Sequence, residues 1–344
     1  MKANEKKGIL VLIHNVIYSM RINRQLIKKA RNINPLLPYL LPQCRTIENA
    51  STELRWLTDH FSSRSQSELT HACKQRYRGM PLQYILGTQP FGRYLNILCR
   101  KNVLIPRWET DEIASFVNDV LLKKRLQSIG ENQTNSKTVI LDLCTGSGCI
   151  AASVKEAYPN FHNLFVYGID VSKACIHLSR ENQVFNKLEN FKDNDNTWLG
   201  YTLHDVLNPE EALLDRLKKT DEWSGGEFEG STSLFIECIV SNPPYIPYKQ
   251  LPELNVSVKN YEPHKALFGE LEFYKNFVDV WSPHCNSFFF ELGDTTQVDA
   301  IKDNLDVDTW TVHIWIDGND KIRGVYGYRK SLKGDYEHYI KQSL

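Results

Sequence analysis

One segment constrains the fold of this chain more than any other. Val139-Ile140-Leu141-Asp142-Leu143 is an almost unbroken apolar run. It passes directly into Cys144-Thr145-Gly146-Ser147-Gly148 and then into the helix-compatible Cys149-Ile150-Ala151-Ala152. A strand that reads apolar at successive positions is buried on both faces, which requires helices above and below the sheet. The same strand-then-helix rhythm recurs downstream. Leu164 to Ile169 reads as a second strand, with Ser172 placed to cap the helix after it. Leu203 to Leu207, Phe235 to Ser241 and Phe288 to Leu292 follow as a third, fourth and fifth. Val312 to Ile316 and Gly324 to Tyr328 form a closing hairpin around Asp317-Gly318. Alternating strands and helices predict a doubly wound, mostly parallel α/β sheet, with ligand at the carboxyl ends of the strands.

The glycine turn is the first candidate site. Gly146 permits a tight turn, and Gly148 is expected to let the backbone approach a ligand closely. Asp170, 22 residues beyond Gly148, closes the next strand, where its carboxylate can accept hydrogen bonds from ribose hydroxyls. This spacing also fits a dinucleotide fingerprint, so NAD stays open on these residues alone, as does a turn without a ligand. Asp142 and Thr145 point elsewhere. A carboxylate just before the turn suits a cationic ligand, such as the amino and sulfonium groups of S-adenosylmethionine, better than a pyrophosphate. Asp205, in His204-Asp205-Val206, is a candidate for the adenine end; the alternative is a surface turn carboxylate.

The most specific signal is Asn242-Pro243-Pro244-Tyr245 after the fourth strand. Two consecutive prolines fix the backbone and leave carbonyls without neighbouring N–H competitors. The Asn242 side-chain oxygen and the Pro243 carbonyl can together accept both hydrogens of an NH₂ group. Methylating a planar amide or amine needs this arrangement, because its delocalised lone pair must be oriented toward the methyl group by fixed acceptors. Tyr245 is expected to stack on the flat target group. The plain alternative is a Pro-rich turn that ends a strand.

Upstream, residues 21–80 read as short helices, with breaks at Pro35 and Pro38, a cap at Thr46 and an apolar face of Ile47, Leu54, Leu57 and Phe61. Between Pro81 and Pro106, Tyr84 to Leu86, Tyr94 to Leu98 and Val103 to Ile105 suggest short strands with a hairpin. The polar stretches 189–196 and 219–233 read as solvated insertions.

Charge and cysteines narrow the class. Lys plus Arg and Asp plus Glu both number 41, which excludes a histone-like basic binder and a disordered acidic chain. Residues 1–80 nevertheless carry 14 basic against five acidic side chains, and Glu5 is the only carboxylate before Glu48. An acid-poor, basic N-terminus resembles a mitochondrial transit segment; the alternative on charge alone is a frayed basic terminus followed by an ordinary helix. Gly8 to Met20 is too short and polar to span a membrane. None of the eight cysteines has C-x-x-C spacing, so they read as reduced thiols, with no metal site expected.

With these residues identified, the chain resembles the protein-(glutamine-N5) methyltransferases of peptide-chain release factors, the HemK/PrmC-type enzymes, over roughly residues 30–330. Pro81-Leu82-Gln83-Tyr84-Ile85 with Gly87 and Phe91-Gly92 looks like the family's hairpin segment. Leu104-Ile105-Pro106-Arg107-Trp108-Glu109-Thr110 looks like its "LIPRPET" segment, with Trp108 in place of the usual Pro. Tyr261-Glu262-Pro263, Ala266-Leu267, Glu291-Leu292-Gly293 with Gln297, and Asp317 with Arg323 match later blocks. Two departures are a shortened glycine-rich stretch at Phe268 to Phe273, and Val206 where an aromatic is usual.

The resemblance implies a Rossmann-like class I S-adenosylmethionine-dependent methyltransferase sheet with a small N-terminal helical domain and a linking β-hairpin. The expected divisions are a mitochondrial targeting segment at 1–20, a helical substrate-binding domain at 21–80, a hairpin linker at 81–111, the methyltransferase domain at 112–331 and a tail at 332–344. The methyl-donor site is expected at Asp142, Cys144, Thr145, Gly146, Ser147, Gly148, Asp170, Asp205, Val206 and Asn242. Asn242, Pro243, Pro244 and Tyr245 are expected to grip the glutamine of a Gly-Gly-Gln motif in a mitochondrial class I release factor. The expected location is the matrix and the expected state a monomer, with no stable nucleic-acid or membrane partner. Arg107-Trp108-Glu109 reads as a hinge contact between domains, and Glu291 and Asp317 as structural. An N6-adenine methyltransferase on DNA or RNA is the competing reading, since adenine offers the same NH₂ on a planar system. Such an enzyme usually carries a basic recognition region, whereas the catalytic half here is net acidic.

Overall fold

The computed structural model describes residues 22–131, 137–190, 197–208 and 236–340. The expected targeting segment 1–20, the insertion 219–233 and all but the first two residues of 189–196 lie outside the described residues. The chain divides into two units, one of Met1–Gly87 with Asn255–Tyr261 and one of Thr88–Leu254 with Glu262–Leu344.

In the first unit, helices Arg24–Ile33, Leu37–Cys44, Ile47–His60 and Gln66–Tyr77 pack around Leu37, Leu40, Leu41, Leu57 and Cys73. Thr46 caps its helix through the Asn49 N–H, as its position predicts, and Ser65 and Glu68 form a reciprocal capping box. Leu54 and Leu57 are buried, with Ile47 and Phe61 packed against the same cluster. Tyr84 to Leu86 departs from its expected strand. It is the end of a short helix, Leu82–Leu86, which Pro81 starts and Gly87 stops.

The second unit opens with the hairpin β1 (Thr88–Phe91) and β2 (Leu95–Leu98), paired antiparallel. The hairpin thus lies within the second unit, and Val103 to Ile105 forms no strand. The free edge of β2 is covered by side chains from the end of helix Lys173–Phe185 and its C-cap Asn186. Leu98 N–H donates to Asn182 Oδ1 (2.6 Å) and Asn96 N–H to Asn186 Oδ1 (2.9 Å).

The main sheet uses β3 (Thr138–Leu143), β4 (Leu164–Asp170), β5 (Thr197–Leu203), β6 (Ile236–Ser241), β7 (Cys285–Glu291), β8 (Trp310–Ile316) and β9 (Ile322–Arg329). Its order is β5-β4-β3-β6-β7-β9-β8, with β9 and β8 antiparallel to their neighbours. The third parallel strand lies at Thr197–Leu203, ahead of the expected Leu203 to Leu207, which follows it as a turn.

Every residue of β3 and β6 is buried. Alternate side chains feed two cores. Ile140, Val166, Leu199 and Val240 pack with Ile113, Val117 and Val154 on one face. Leu141, Ile169, Ile239, Phe288 and Phe290 pack with Phe277, Trp281, Val298 and Ile301 on the other. Each such large apolar side chain contributes about 1.5–3 kcal/mol by leaving water. The expected tail also has structure. Helix Lys333–Ile340 buries Tyr336, which stacks on Tyr328 and donates its hydroxyl to Glu237 (3.0 Å). Among the described residues no helix is long and apolar enough to cross a membrane.

Candidate active site

After β3 the chain turns to one side, toward β4 and β5, and later returns to the other side as β6. The strand order therefore reverses between β3 and β6, and in an open α/β sheet this reversal opens a crevice at the carboxyl ends. A cavity of about 330 Å³ lies there. Its lining includes Cys144, Thr145, Gly146 and Ser147 from the turn after β3, and Asp170 at the end of β4. It also includes Asp205 and Val206 beyond β5, and Asn242 and Pro244 beyond β6. Asp142, Gly148, Pro243 and Tyr245 are not in that lining.

The geometry explains the difference for Asp142, Gly148 and Tyr245, while Pro243 is buried within its loop. Asp142 is buried beneath the turn, where its Oδ2 accepts from Thr145 Oγ1 (2.5 Å) and from the Ala151 N–H (3.2 Å). It thus caps the first turn of helix Cys149–Ala157, the role a carboxylate fills at a helix N-terminus. This position corrects the expected contact with a cationic ligand. Burial pushes its carboxyl up to about 7. The two glycines differ in what surrounds them. Both have left-handed backbones, φ +55° at Gly146 and +80° at Gly148. A Cβ at Gly148 would meet Tyr201 Oη at 2.7 Å and Ser179 Cβ at 2.8 Å, so its bareness serves internal packing. A Cβ at Gly146 would meet only Cys144 O, at 4.0 Å. Of the two, Gly146 is the one that lines the cavity and has open space beside its backbone.

Asp170 ties the turn to the second strand. Its Oδ2 accepts from Gly146 N–H (2.9 Å) and its Oδ1 from Ser172 N–H (2.8 Å). Burial raises its pKa, and these backbone donors oppose the rise. Each oxygen keeps a further lone pair, enough for two hydroxyls of a ribose. Asp205 Oδ1 accepts from Leu207 N–H (3.1 Å). Val206, which stands where the family usually has an aromatic, is buried, and Phe268 and Phe273 bring rings into the same lining. The shortened stretch keeps a glycine where the chain packs against the Pro244 carbonyl, since a Cβ at Gly269 would meet Pro244 O at 2.3 Å.

The Asn242 side chain lies at the cavity with its Nδ2 donating to Thr110 Oγ1 (3.1 Å). Thr110 Oγ1 in turn donates to Glu291 Oε2 (2.8 Å). Tyr245 does not present its ring as a stacking platform. The ring packs beside Gly293, and its hydroxyl donates to Glu291 Oε1 (3.1 Å). Gln297 Nε2 further holds the loop through the Tyr245 carbonyl (2.8 Å). Arg107 pairs with Glu262 (2.6 Å), whose other oxygen accepts from Ile105 N–H, and Glu109 lies 3.9 Å from Arg323, which pairs with Asp317. All these partners belong to the second unit, where Ile105, Arg107 and Thr110 line the cavity. Thr110 is the residue that the motif reading passed over. Its position in the Leu104-to-Thr110 block was the only signal in the sequence. Among the described residues no group of three or more His, Cys, Asp or Glu could hold a metal.

A doubly wound sheet that reverses at a glycine turn, ends its second strand in an acid and carries Asn-Pro-Pro-Tyr after the next strand across the reversal is the class I S-adenosylmethionine-dependent methyltransferase fold. No family model matches the chain. The mitochondrial MRF1 N(5)-glutamine methyltransferase MTQ1 of Saccharomyces cerevisiae is 36% identical over 333 residues, covering 94% of each chain. The probable MRF1 mitochondrial N(5)-glutamine methyltransferase of Schizosaccharomyces pombe is 33% identical, over 82% of this chain and 86% of its own. A release factor glutamine methyltransferase of Thermodesulfovibrio yellowstonii is 28% identical, over 69% and 71%. Among solved structures, the human methyltransferase 10 domain containing protein aligns over 66% of this chain with a TM-score of 0.40 and 16% identity, too distant a likeness to bear on function. The chain belongs to the release factor glutamine methyltransferase family.

Proposed function

We propose that this protein transfers a methyl group from S-adenosylmethionine to the side-chain amide nitrogen (N5) of the glutamine in the Gly-Gly-Gln motif of a mitochondrial class I peptide-chain release factor. It acts as a monomer in the mitochondrial matrix, without a nucleic-acid or membrane partner, and the helical unit helps to hold the release factor. The observation that carries the reading is the Asn242 carboxamide at the cavity, with its NH₂ end tied to Thr110 and its oxygen left to accept.

The cavity suits the methyl donor. A carboxylate with spare lone pairs, an open glycine backbone and an apolar and aromatic wall match its ribose, its main chain and its adenine. Asp170 would hold the ribose, Asp205, Val206 and the nearby rings the adenine, and Thr145 to Ser147 the amino-acid end. When bound, the donor supplies an electrophilic methyl carbon on a sulfonium, which departs as a neutral thioether. The chain's own part is orientation. Asn242 Oδ1 and the Pro243 carbonyl accept the two amide hydrogens, turning the nitrogen's π lone pair toward the methyl carbon. As the N–C bond forms, the nitrogen becomes positive, both acceptors bind it more tightly, and one hydrogen leaves to solvent as a proton. No strong base is required before the attack. Tyr245 keeps the loop in place.

Two substitutions test this. Asn242→Ala is expected to lower kcat roughly 100- to 1,000-fold while retaining donor affinity better than Asp170→Ala does, because an oriented transition-state partner is lost. Asp170→Ala is expected to weaken donor binding on the order of tenfold or more. Calorimetric binding of S-adenosylhomocysteine and single-turnover methylation separate the two effects. Near-wild-type turnover in both variants would overturn the assignment.

A further inference from the structure

Thr110 and Glu291 are buried, come from opposite ends of the unit's sequence and meet behind Asn242. A threonine hydroxyl has a single hydrogen, and an ionised carboxylate can only accept. With that hydrogen committed to Glu291 Oε2, the oxygen of Thr110 can only accept from Asn242. The NH₂ end of the carboxamide must therefore face Thr110, and Oδ1 must face the cavity. Tyr245 holds the second Glu291 oxygen (3.1 Å) and Tyr274 donates to the Glu291 main-chain carbonyl (2.9 Å), so the carboxylate cannot swing away.

From this chain of donors we infer that Glu291, acting through Thr110, is a positioning residue that sets which end of the Asn242 carboxamide meets the target amide. The inference rests on the reading of Asn242 as an acceptor for the glutamine NH₂, and it assigns the acceptor's polarity to Thr110, which lines the cavity beside Asn242, and to Glu291 behind it. Reversing the chain reverses the polarity. A protonated Glu291 can donate to Thr110, whose hydrogen is then free for the Asn242 oxygen, and the flipped amide offers NH₂ to an NH₂.

The groups facing Glu291 are Thr110 and Glu109 from helix Trp108–Phe116, Tyr245 after β6, Tyr274 from helix Glu272–Asn276, Cys149 from the helix after the glycine turn and Arg323 on β9. Burial pushes the Glu291 carboxyl up to about 7; its two hydroxyl donors and Arg323 oppose the rise, while Glu109 adds to it. The ionised form is the orienting one, so kcat should rise with pH through about 7 and fall about tenfold per unit well below it.

The experiment is a kcat and KM series against pH on the full chain with a Gly-Gly-Gln release factor, for wild type, Thr110→Val, Thr110→Ser, Glu291→Gln and Asn242→Ala. S-adenosylhomocysteine affinity and thermal unfolding are measured beside it. Thr110→Val should lose roughly 10- to 100-fold in kcat, the range seen when an orienting partner behind a functional side chain is removed. KM and donor affinity should change little, and Thr110→Ser should restore most of the loss. Glu291→Gln should be slow and lack the acid limb. That last result also excludes Asp142, raised to a similar value, as the source of the limb. Wild-type kcat in Thr110→Val, or an unchanged acid limb in Glu291→Gln, overturns the inference even when Asn242→Ala is inactive. Wild-type turnover in Asn242→Ala would instead defeat the reading of the site itself. If Thr110→Val does not fold, Thr110→Ser and the wild-type limb decide: a wild-type kcat flat from pH 5 to 8 overturns the inference.

Discussion

Two glycines two residues apart should fail in opposite ways when each receives a single methyl group. Both Gly146 and Gly148 occupy the left-handed region, where an L residue costs about 1–2 kcal/mol. Gly146→Ala should incur little beyond that, since its Cβ meets nothing closer than 4.0 Å. Gly148→Ala adds a Cβ at 2.7 Å from Tyr201 Oη and 2.8 Å from Ser179 Cβ, both buried, and overpacking of that kind costs a further 1–3 kcal/mol or so. At about 2–4 °C per kcal/mol for a unit of this size, Gly148→Ala should melt roughly 2–12 °C below Gly146→Ala. Donor binding should rank the other way. The Gly146 methyl enters the cavity, whereas the Gly148 methyl does not, so Gly146→Ala should be the weaker binder at a temperature where both are folded. Thermal unfolding without donor, paired with calorimetric titration of S-adenosylhomocysteine, measures both. If Gly146→Ala proves the less stable variant while binding donor normally, the assignment of the two glycines is wrong.

Two further outcomes follow from burial and charge. Asp142 has a folded pKa of about 7 against an ordinary 3.8, so between those values the folded chain holds a proton that the unfolded chain has released. Its contribution therefore weakens as pH rises through that window, by up to about 1.4 kcal/mol per pH unit. Asp142→Asn should gain stability relative to wild type from pH 4 to 7 and level off above, and urea titrations showing a constant difference would contradict this. Tyr336→Ala should destabilise the catalytic unit by roughly 3–5 kcal/mol through loss of a buried aromatic stacked on Tyr328; an unchanged melting temperature would return residues 332–344 to the status of a tail.

Much of this arrangement could be read from local pattern, and the exceptions have physical reasons. β3 and β6 are legible because strands buried on both faces carry continuous apolar runs, and the turns they feed hold residues with few other uses. The third parallel strand was misplaced by several residues because Thr197-Trp198-Leu199-Gly200-Tyr201 emerges from a polar Asn/Asp stretch and contains a glycine. Leu203 to Leu207, where Leu203, Val206 and Leu207 flank His204 and Asp205, is the turn that follows it. Tyr84-Ile85-Leu86 has strand-forming side chains, but Pro81 before it and Gly87 after it favour a single helical turn. The roles of Gly146 and Gly148 could not be separated without Tyr201, which lies more than fifty residues away. The chain from Glu291 through Thr110 to Asn242 was likewise invisible, because its members lie 181 and 132 positions apart and only the closed sheet brings them together.

The central claim is a methyl group on one glutamine. The most direct measurement is peptide mass spectrometry of a mitochondrial release factor incubated with the purified chain and S-adenosylmethionine, beside its Gly-Gly-Gln to Gly-Gly-Ala variant. A single added methyl on that glutamine, absent from the variant, is the predicted result. An unmodified glutamine with label transferred instead to the adenines of added nucleic acid would contradict it.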